Sequence, residues 1–86
     1  MDTLTSNLIF FHMSRFPSVT GNELIKALSK IGFLVVRIKG SHHRLEHSDG
    51  RKTTIPAHGK ETLGPGILLK ILRDADLTRD DLLKLL

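Results

Sequence analysis

Three short β-type segments separated by turn signals are the feature that most constrains the fold of this chain. Apolar and β-branched residues fill 33–38, a second run covers 41–47, and a third covers 52–56. Lys39-Gly40 separates the first two runs, and residues 48–51 separate the last two with an Asp-Gly pair suited to positive φ. Connections this short join neighbouring antiparallel strands. The sequence therefore predicts a three-stranded antiparallel meander.

Helical patterns lie on both sides of this meander. Thr20 and Glu23 have the spacing of a capping box, an apolar stripe follows, and Gly32 supplies a left-handed stop, so we predict a first helix over 21–31. Pro65 suits the first turn of a second helix, whose apolar stripe runs from 67 to 75. A short terminal helix should follow Thr78. The predicted class is α+β, in the order α-β-β-β-α plus a tail helix, with both main helices on one face of the sheet.

The size and composition of the chain limit the kinds of protein it can be. At 86 residues it can build one hydrophobic core, and the absence of cysteine excludes disulfides, thiolate metal sites and a cysteine nucleophile. The apolar run 8–11 is too short for a membrane span and lacks the basic start of a secretory signal, so we expect a soluble cytoplasmic protein without a membrane partner. We divide the chain into an N-terminal extension of unknown role, 1–12, and one domain, 13–86, with Met13 as a candidate start.

The positive charge is concentrated in the segment that holds the predicted meander. Between Arg37 and Lys60 six basic residues face two acidic ones, a local excess of four, whereas the basic and acidic residues outside this segment balance at seven each. The formal net charge of +4 therefore lies entirely in this segment. Such a distribution favours docking of a polyanion, although a solvated hairpin that happens to be basic is the alternative.

Strand alternation predicts which side chains lie on the open face of the sheet. Leu45 is the apolar residue of the second run and should face the helices, so His43 and His47 share its side. His42 and Arg44 then point to the open face. The same alternation places Glu46, Lys52 and Thr54 on that face. We therefore expect a basic open face that carries one histidine.

The histidines differ in the chemistry available to them. His42 and His43 point to opposite sides and cannot share a metal ion, and His43 and His47 have no third ligand, so we predict no metal site and no cofactor. We expect His43 to be buried with a hydrogen bond, and His47 and His58 to be simply exposed to solvent. On spacing alone, an exposed histidine such as His42 is more often inert than catalytic.

His42 nevertheless has the properties that RNA cleavage requires. An imidazole can take or give a proton near neutral pH, and neighbouring cations favour its neutral, basic form. RNA supplies its own nucleophile, the 2′-hydroxyl group, so a nuclease needs only a base, cationic charge at phosphorus and a proton for the leaving oxygen. That chemistry requires no metal ion.

Several separated motifs occur in order along about Pro17 to Leu86. They are T-G-N-E-L-I-K-A-L followed by G-F, then K-G-S-H-H, D-G-R-K-T-T-I-P and L-G-P-G-I-L-L-K-I-L-R-D-A. This series resembles the HicA toxins. The resemblance implies a fold like the double-stranded-RNA-binding domain and an endoribonuclease that cleaves mRNA independently of the ribosome. It also implies an acidic HicB-like antitoxin as partner, with oligomers forming only through the complex with that antitoxin.

The resemblance also implies which residues form the site. Activity in the family depends on the histidine of the Gly-Ser-His element, which is His42 here. Gly40 gives the turn its positive φ, and Ser41 contacts a phosphate or completes the turn. The remaining candidates for RNA binding are Lys39, Arg44 and Lys52, with Arg37 and Lys60 as further phosphate contacts.

One departure from the family and two alternative functions remain. Asp76 stands where the family usually has glycine after the second helix, and aspartate tolerates the left-handed conformation less well.

A module of the same fold that binds RNA without cleaving it fits the same residues. So does an interaction protein whose basic face meets an acidic partner.

Overall fold

The helices and strands occur in the order that the sequence predicts. In the computed structural model, which describes residues 16–86, they are α1 (Gly21–Ser29), β1 (Leu34–Lys39), β2 (His42–Glu46), β3 (Lys52–Pro56), α2 (Pro65–Asp74) and α3 (Arg79–Leu85). The strands form one antiparallel sheet in the order β1-β2-β3. The predicted α+β class is confirmed. The predicted extension 1–12 and the start at Met13 lie outside the described residues.

The capping box predicted for α1 is present, but the helix ends earlier than expected. The Thr20 hydroxyl accepts a hydrogen bond from the Glu23 amide at 3.1 Å, and the Glu23 carboxylate accepts one from the Thr20 amide at 2.8 Å. The Lys30 and Ile31 amides bond to carbonyls three residues back, so the chain tightens after Ser29 instead of continuing the α-helix to residue 31.

The hydrophobic core lies between the helices and one face of the sheet. Both α1 and α2 pack against β3, and α3 packs against α1. Leu45 from β2 and Ile55 from β3 are fully buried, together with the inward side chains of the helices, among them Leu24, Leu28, Leu68, Ile71 and Leu82. All six residues of β1 are exposed, because the helices pack against β3 and leave both faces of this edge strand largely open. None of the helices in the described part of the chain is long and apolar enough to cross a membrane.

The β1-β2 hairpin differs from prediction at both ends of its turn. Lys39 pairs with His42, so the turn consists of Gly40 and Ser41, and β2 begins at His42 instead of Ser41. Gly40 has φ of +60°, which suits glycine at the first central position of a type II′ turn. A β-bulge interrupts the register between Val35 and Arg37.

The chain leaves α2 through a Schellman motif built on the unusual Asp76. Its amide donates to the Arg73 carbonyl at 3.1 Å, and the Leu77 amide donates to the Leu72 carbonyl at 2.8 Å. Asp76 has φ of +56° and is the non-glycine residue with positive φ in 16–86. The left-handed position of this motif, which glycine adopts without strain, is thus filled by an L residue with a Cβ atom.

Candidate catalytic histidine and nucleic-acid interface

His42 occupies the first position of β2, directly after the hairpin turn. It pairs with Lys39 on one side and with Pro56 of β3 on the other, and its side chain is exposed. A Cβ atom added at Gly40 would meet no atom within 4 Å, so glycine is needed there for its φ and not for space. The tight turn thus fixes the backbone beside His42 while leaving the imidazole open to solvent.

A shallow groove on the open face of the sheet brings His42 together with three cations. Its lining residues are Arg37, Lys39, His42, Arg44 and Thr54. Arg44 lies opposite Thr54 in β3, and its guanidinium is 3.7 Å from the Glu46 carboxylate, an exposed contact that contributes little to stability. We call this depression the cationic groove.

The β-bulge in β1 determines which cations enter the cationic groove. Residues directly opposite in an antiparallel pair share a face, and after the bulge Arg37 lies opposite Arg44 and Lys39 opposite His42. Regular alternation from Leu34, with no bulge, would place Arg37 and Lys39 on the other face of the strand. The bulge therefore contributes two of the three cations.

Two predicted phosphate contacts lie outside the cationic groove. Lys52 is on the predicted open face, but it pairs with Glu46 at the far end of β3, four residues from Pro56, which pairs with His42. Lys60 is exposed in the segment between β3 and α2 and lines neither depression that includes His42. The structure thus brings Arg37, Lys39 and Arg44 together and separates Lys52 and Lys60 from them.

A second depression also includes His42 and contains a histidine that the sequence reasoning missed. It is lined by His42, Pro56, His58, Glu61, Thr62, Leu63, Gly64 and Ile67, so it lies between the end of β3 and the start of α2. We call it the histidine cleft. The Nε2 atom of His58 is 3.1 Å from the Ser41 hydroxyl oxygen. His58 is exposed as expected, but it has a partner in the turn before His42.

The other two histidines have structural contacts. His43 is partly and not fully buried, and its Nδ1 donates to the Ser41 carbonyl at 3.0 Å, a hydrogen bond of the kind predicted for it. His47 lies on the core side as strand alternation predicts, but the expectation of simple exposure is wrong, because its Nε2 donates to the Ile31 carbonyl at 2.8 Å and its ring packs edge-on against Phe33. Among residues 16–86, no group of three His, Asp or Glu side chains is placed to hold a metal ion.

Arg51 belongs to the basic segment but serves the core side of the sheet. Its guanidinium donates to the Ala75 carbonyl at 2.6 Å and lies 5.0 Å from the centre of the Phe33 ring. It also pairs with Asp49 at 2.9 Å, and this hydrogen bond is the largest cause that lowers the pKa of the Asp49 carboxyl below its usual value. Arg51, one of the six basic residues of the segment, therefore contacts other parts of the protein and does not add to the charge of the open face.

A comparison with family models gives the class of the protein. Residues 21–77 match the model of the HicA toxin of bacterial toxin-antitoxin systems. The chain belongs to the HicA toxin family. This HicA match runs from α1 through α2 and includes the cationic groove and the histidine cleft. A search of curated proteins found no match. HicA membership makes the chain a toxin of a toxin-antitoxin system and implies a cognate antitoxin as its partner.

Proposed function

We propose that this HicA toxin is an endoribonuclease that cleaves mRNA and so arrests translation and growth. The observation that carries the proposal is the placement of an exposed His42 in one groove with Arg37, Lys39 and Arg44. Phosphate groups of the RNA backbone bind these cations, and such contacts hold the strand without choosing its sequence. With mRNA as the substrate, the activity would operate in the cytoplasm.

In the proposed reaction His42 transfers a proton while the RNA supplies the nucleophile. The 2′-hydroxyl group attacks the adjacent phosphorus, and negative charge develops on the phosphoryl oxygens. The cations that β1 and β2 place along the cationic groove stabilise that charge. An acid-base group in such a position typically contributes a factor of about 10² to 10⁴ in rate. The side chains proposed for these steps supply both functions without a metal ion.

The decisive variant is His42→Ala, compared with Lys26→Ala as a matched control. Lys26 is an exposed residue of α1 outside the cationic groove. We expect His42→Ala to lose cleavage of a purified RNA by about 10² or more, to keep the thermal midpoint of the parent, and to permit growth when expressed. Lys26→Ala should cleave like the parent. Full cleavage by His42→Ala would refute the assignment, and loss of parent activity in a chelator would refute a metal-independent mechanism.

The cationic groove is tested by the salt dependence of RNA binding. Removing one phosphate contact from a single-stranded RNA site lowers the log-log slope of affinity against salt by about 0.7. We expect this change for Arg44→Ala and no change for Lys26→Ala. An unchanged slope for Arg44→Ala would place the RNA elsewhere. Salt-dependent binding with no cleavage by the parent protein would favour the alternative of a non-catalytic RNA-binding module.

The proposed partner is an acidic HicB-like antitoxin that covers the basic open face. A protein that blocks a groove lined by Arg37, Lys39 and Arg44 needs complementary negative charge to pair with them. Coexpression with such a neighbour-encoded protein should relieve growth arrest, and reversing the charge at Arg44 should weaken the complex. A tight complex formed by a parent protein that neither binds nor cleaves RNA would favour the third possibility, a pure interaction protein.

A further inference from the structure

The turn before His42 and the chain after β3 are joined by two hydrogen bonds. The Ala57 amide donates to the Ser41 carbonyl at 2.8 Å, and the Ser41 hydroxyl contacts Nε2 of His58 at 3.1 Å. Pro56 pairs with His42, so His58 follows the sheet by only two residues. These contacts hold His58 beside the turn and place it with His42 in the histidine cleft.

The contact with Ser41 occupies one of the two ring nitrogens of His58. A hydroxyl group can donate to a neutral Nε2 or accept from a protonated one, so the contact persists in both charge states of the ring. Since Nε2 is occupied, Nδ1 is the atom that remains for a bound molecule. His58 therefore combines an exposed side chain with a contact that positions its ring.

The two imidazoles occupy different positions relative to the cations. His42 lies in both depressions and is next to Arg37, Lys39 and Arg44 in the cationic groove, whereas His58 lies in the histidine cleft alone. A phosphate bound by these cations would lie next to His42, with His58 on the side of the histidine cleft. Acid-base cleavage needs one group at each side of the reacting phosphate, so the two positions assign opposite roles to the side chains.

We propose that His58 is a second catalytic residue, the general acid that completes the cleavage begun by His42. This inference rests on the endoribonuclease function proposed above. His42 takes the proton of the 2′-hydroxyl group as the O2′–P bond forms. The P–O5′ bond breaks, and Nδ1 of His58 gives its proton to the departing O5′. The products are a 2′,3′-cyclic phosphate and a 5′-hydroxyl end, and no further reactant is needed.

The test compares ordinary RNA with RNA that carries sulfur in place of the bridging 5′ oxygen at the cleavage site. A thiolate leaves without protonation, so it does not need a general acid. We expect His58→Ala to lose about 10² or more in rate on ordinary RNA and to come within about tenfold of the parent on the sulfur-containing RNA. His42→Ala should lose activity on both. His58→Gln, which keeps a hydrogen-bonding group for Ser41, should behave like His58→Ala.

The outcomes separate this inference from the proposed function. A parent protein that cleaves neither RNA overturns both. A parent that cleaves RNA and depends on His42, with His58→Ala and His58→Gln as active as the parent, overturns only the role of His58. Equal losses of these two variants on ordinary and sulfur-containing RNA likewise exclude the general-acid role. Product ends other than a cyclic phosphate and a 5′-hydroxyl contradict the reaction itself.

Ser41 is assigned the role of a positioning residue that acts through His58. Loss of one hydrogen bond corresponds to about fivefold in rate, so Ser41→Ala should lower kcat by about that factor with KM unchanged. In the background of His58→Ala, the same change should have no further effect. Independent losses in the double variant, or a change in KM alone, would show that Ser41 contacts the phosphate instead and would overturn the positioning role.

Discussion

Gly21 should be required for stability because it is the point where α1 meets the end of β3. It is buried at the first position of α1, and a Cβ atom added there would press against the Pro56 carbonyl oxygen and lie 2.8 Å from the Ala57 Cα atom. Both neighbours are backbone atoms, which cannot rotate away. The Ala57 amide also bonds to the Ser41 carbonyl at 2.8 Å, so displacement of this segment would reach the turn before His42.

The size of the effect of Gly21→Ala follows from two opposing terms. Overpacking costs about 1 to 3 kcal/mol, and the upper end applies where backbone must move. Alanine in a helix gains about 1 kcal/mol or less over glycine. The net loss of about 2 kcal/mol would lower the thermal midpoint of a domain of this size by about 8 to 16 °C.

The matched control is Gly66→Ala in the first turn of α2. A Cβ atom at Gly66 would meet nothing within 4 Å, and its φ is not positive, so this variant should gain about 0.4 to 1 kcal/mol. Urea unfolding and thermal melts followed by circular dichroism measure both changes. Equal stabilities of Gly21→Ala and Gly66→Ala would refute the packing argument.

Three further predictions concern single side chains. Asp76→Gly should stabilise the protein by about 0.5 to 1 kcal/mol in urea unfolding, because it removes the steric strain of a non-glycine residue in the left-handed conformation. A lower free energy of unfolding for this variant would refute that expectation. His47→Ala should cost about 1 to 3 kcal/mol, since it leaves a backbone carbonyl without its donor, and an unchanged midpoint would contradict that role. Burial raises the pKa of the Asp74 carboxyl, but hydrogen bonds from Lys70 and Thr53 lower it below its usual value overall. The ionised carboxylate therefore stabilises the folded state above the unfolded pKa, and this stabilisation is lost in acid. The free energies of unfolding of the parent and Asp74→Asn should converge as the pH falls below about 4. A difference between them that does not change with pH would exclude this linkage.

Part of the candidate site could be predicted because strand alternation is a local property. Strand alternation predicts that His42 and Arg44 face outward and His43 inward. The pairing of β2 with β3 confirms that arrangement. The charge excess of the segment also indicated a basic face. The family resemblance, and not the spacing, singled out His42 among exposed histidines, and its catalytic role stays a prediction.

The contacts of His58, His47 and Arg51 could not be predicted from the sequence. Each joins residues that lie 16 to 24 positions apart, Ser41 to His58, Ile31 to His47 and Arg51 to Ala75. No periodicity encodes such contacts, because they depend on how the segments after each strand pack. One signal was present in the sequence. A third strand that ends at Pro56 and pairs with the second strand brings the residues just after it, including His58, near the turn before His42.

Local sequence is enough to predict the helix start at Thr20, the turn at Gly40, the stop at Gly32 and the faces of β2. These features follow from hydrogen bonds and φ preferences among neighbours in the chain, which are the same in any fold. The bulge that turns Arg37 and Lys39 toward His42, and the position of Lys52 at the other end of the sheet, are known only from the assembled sheet. In a hairpin the register depends on the turn and on pairing along both strands, so one extra residue in an edge strand changes which side chains share the site.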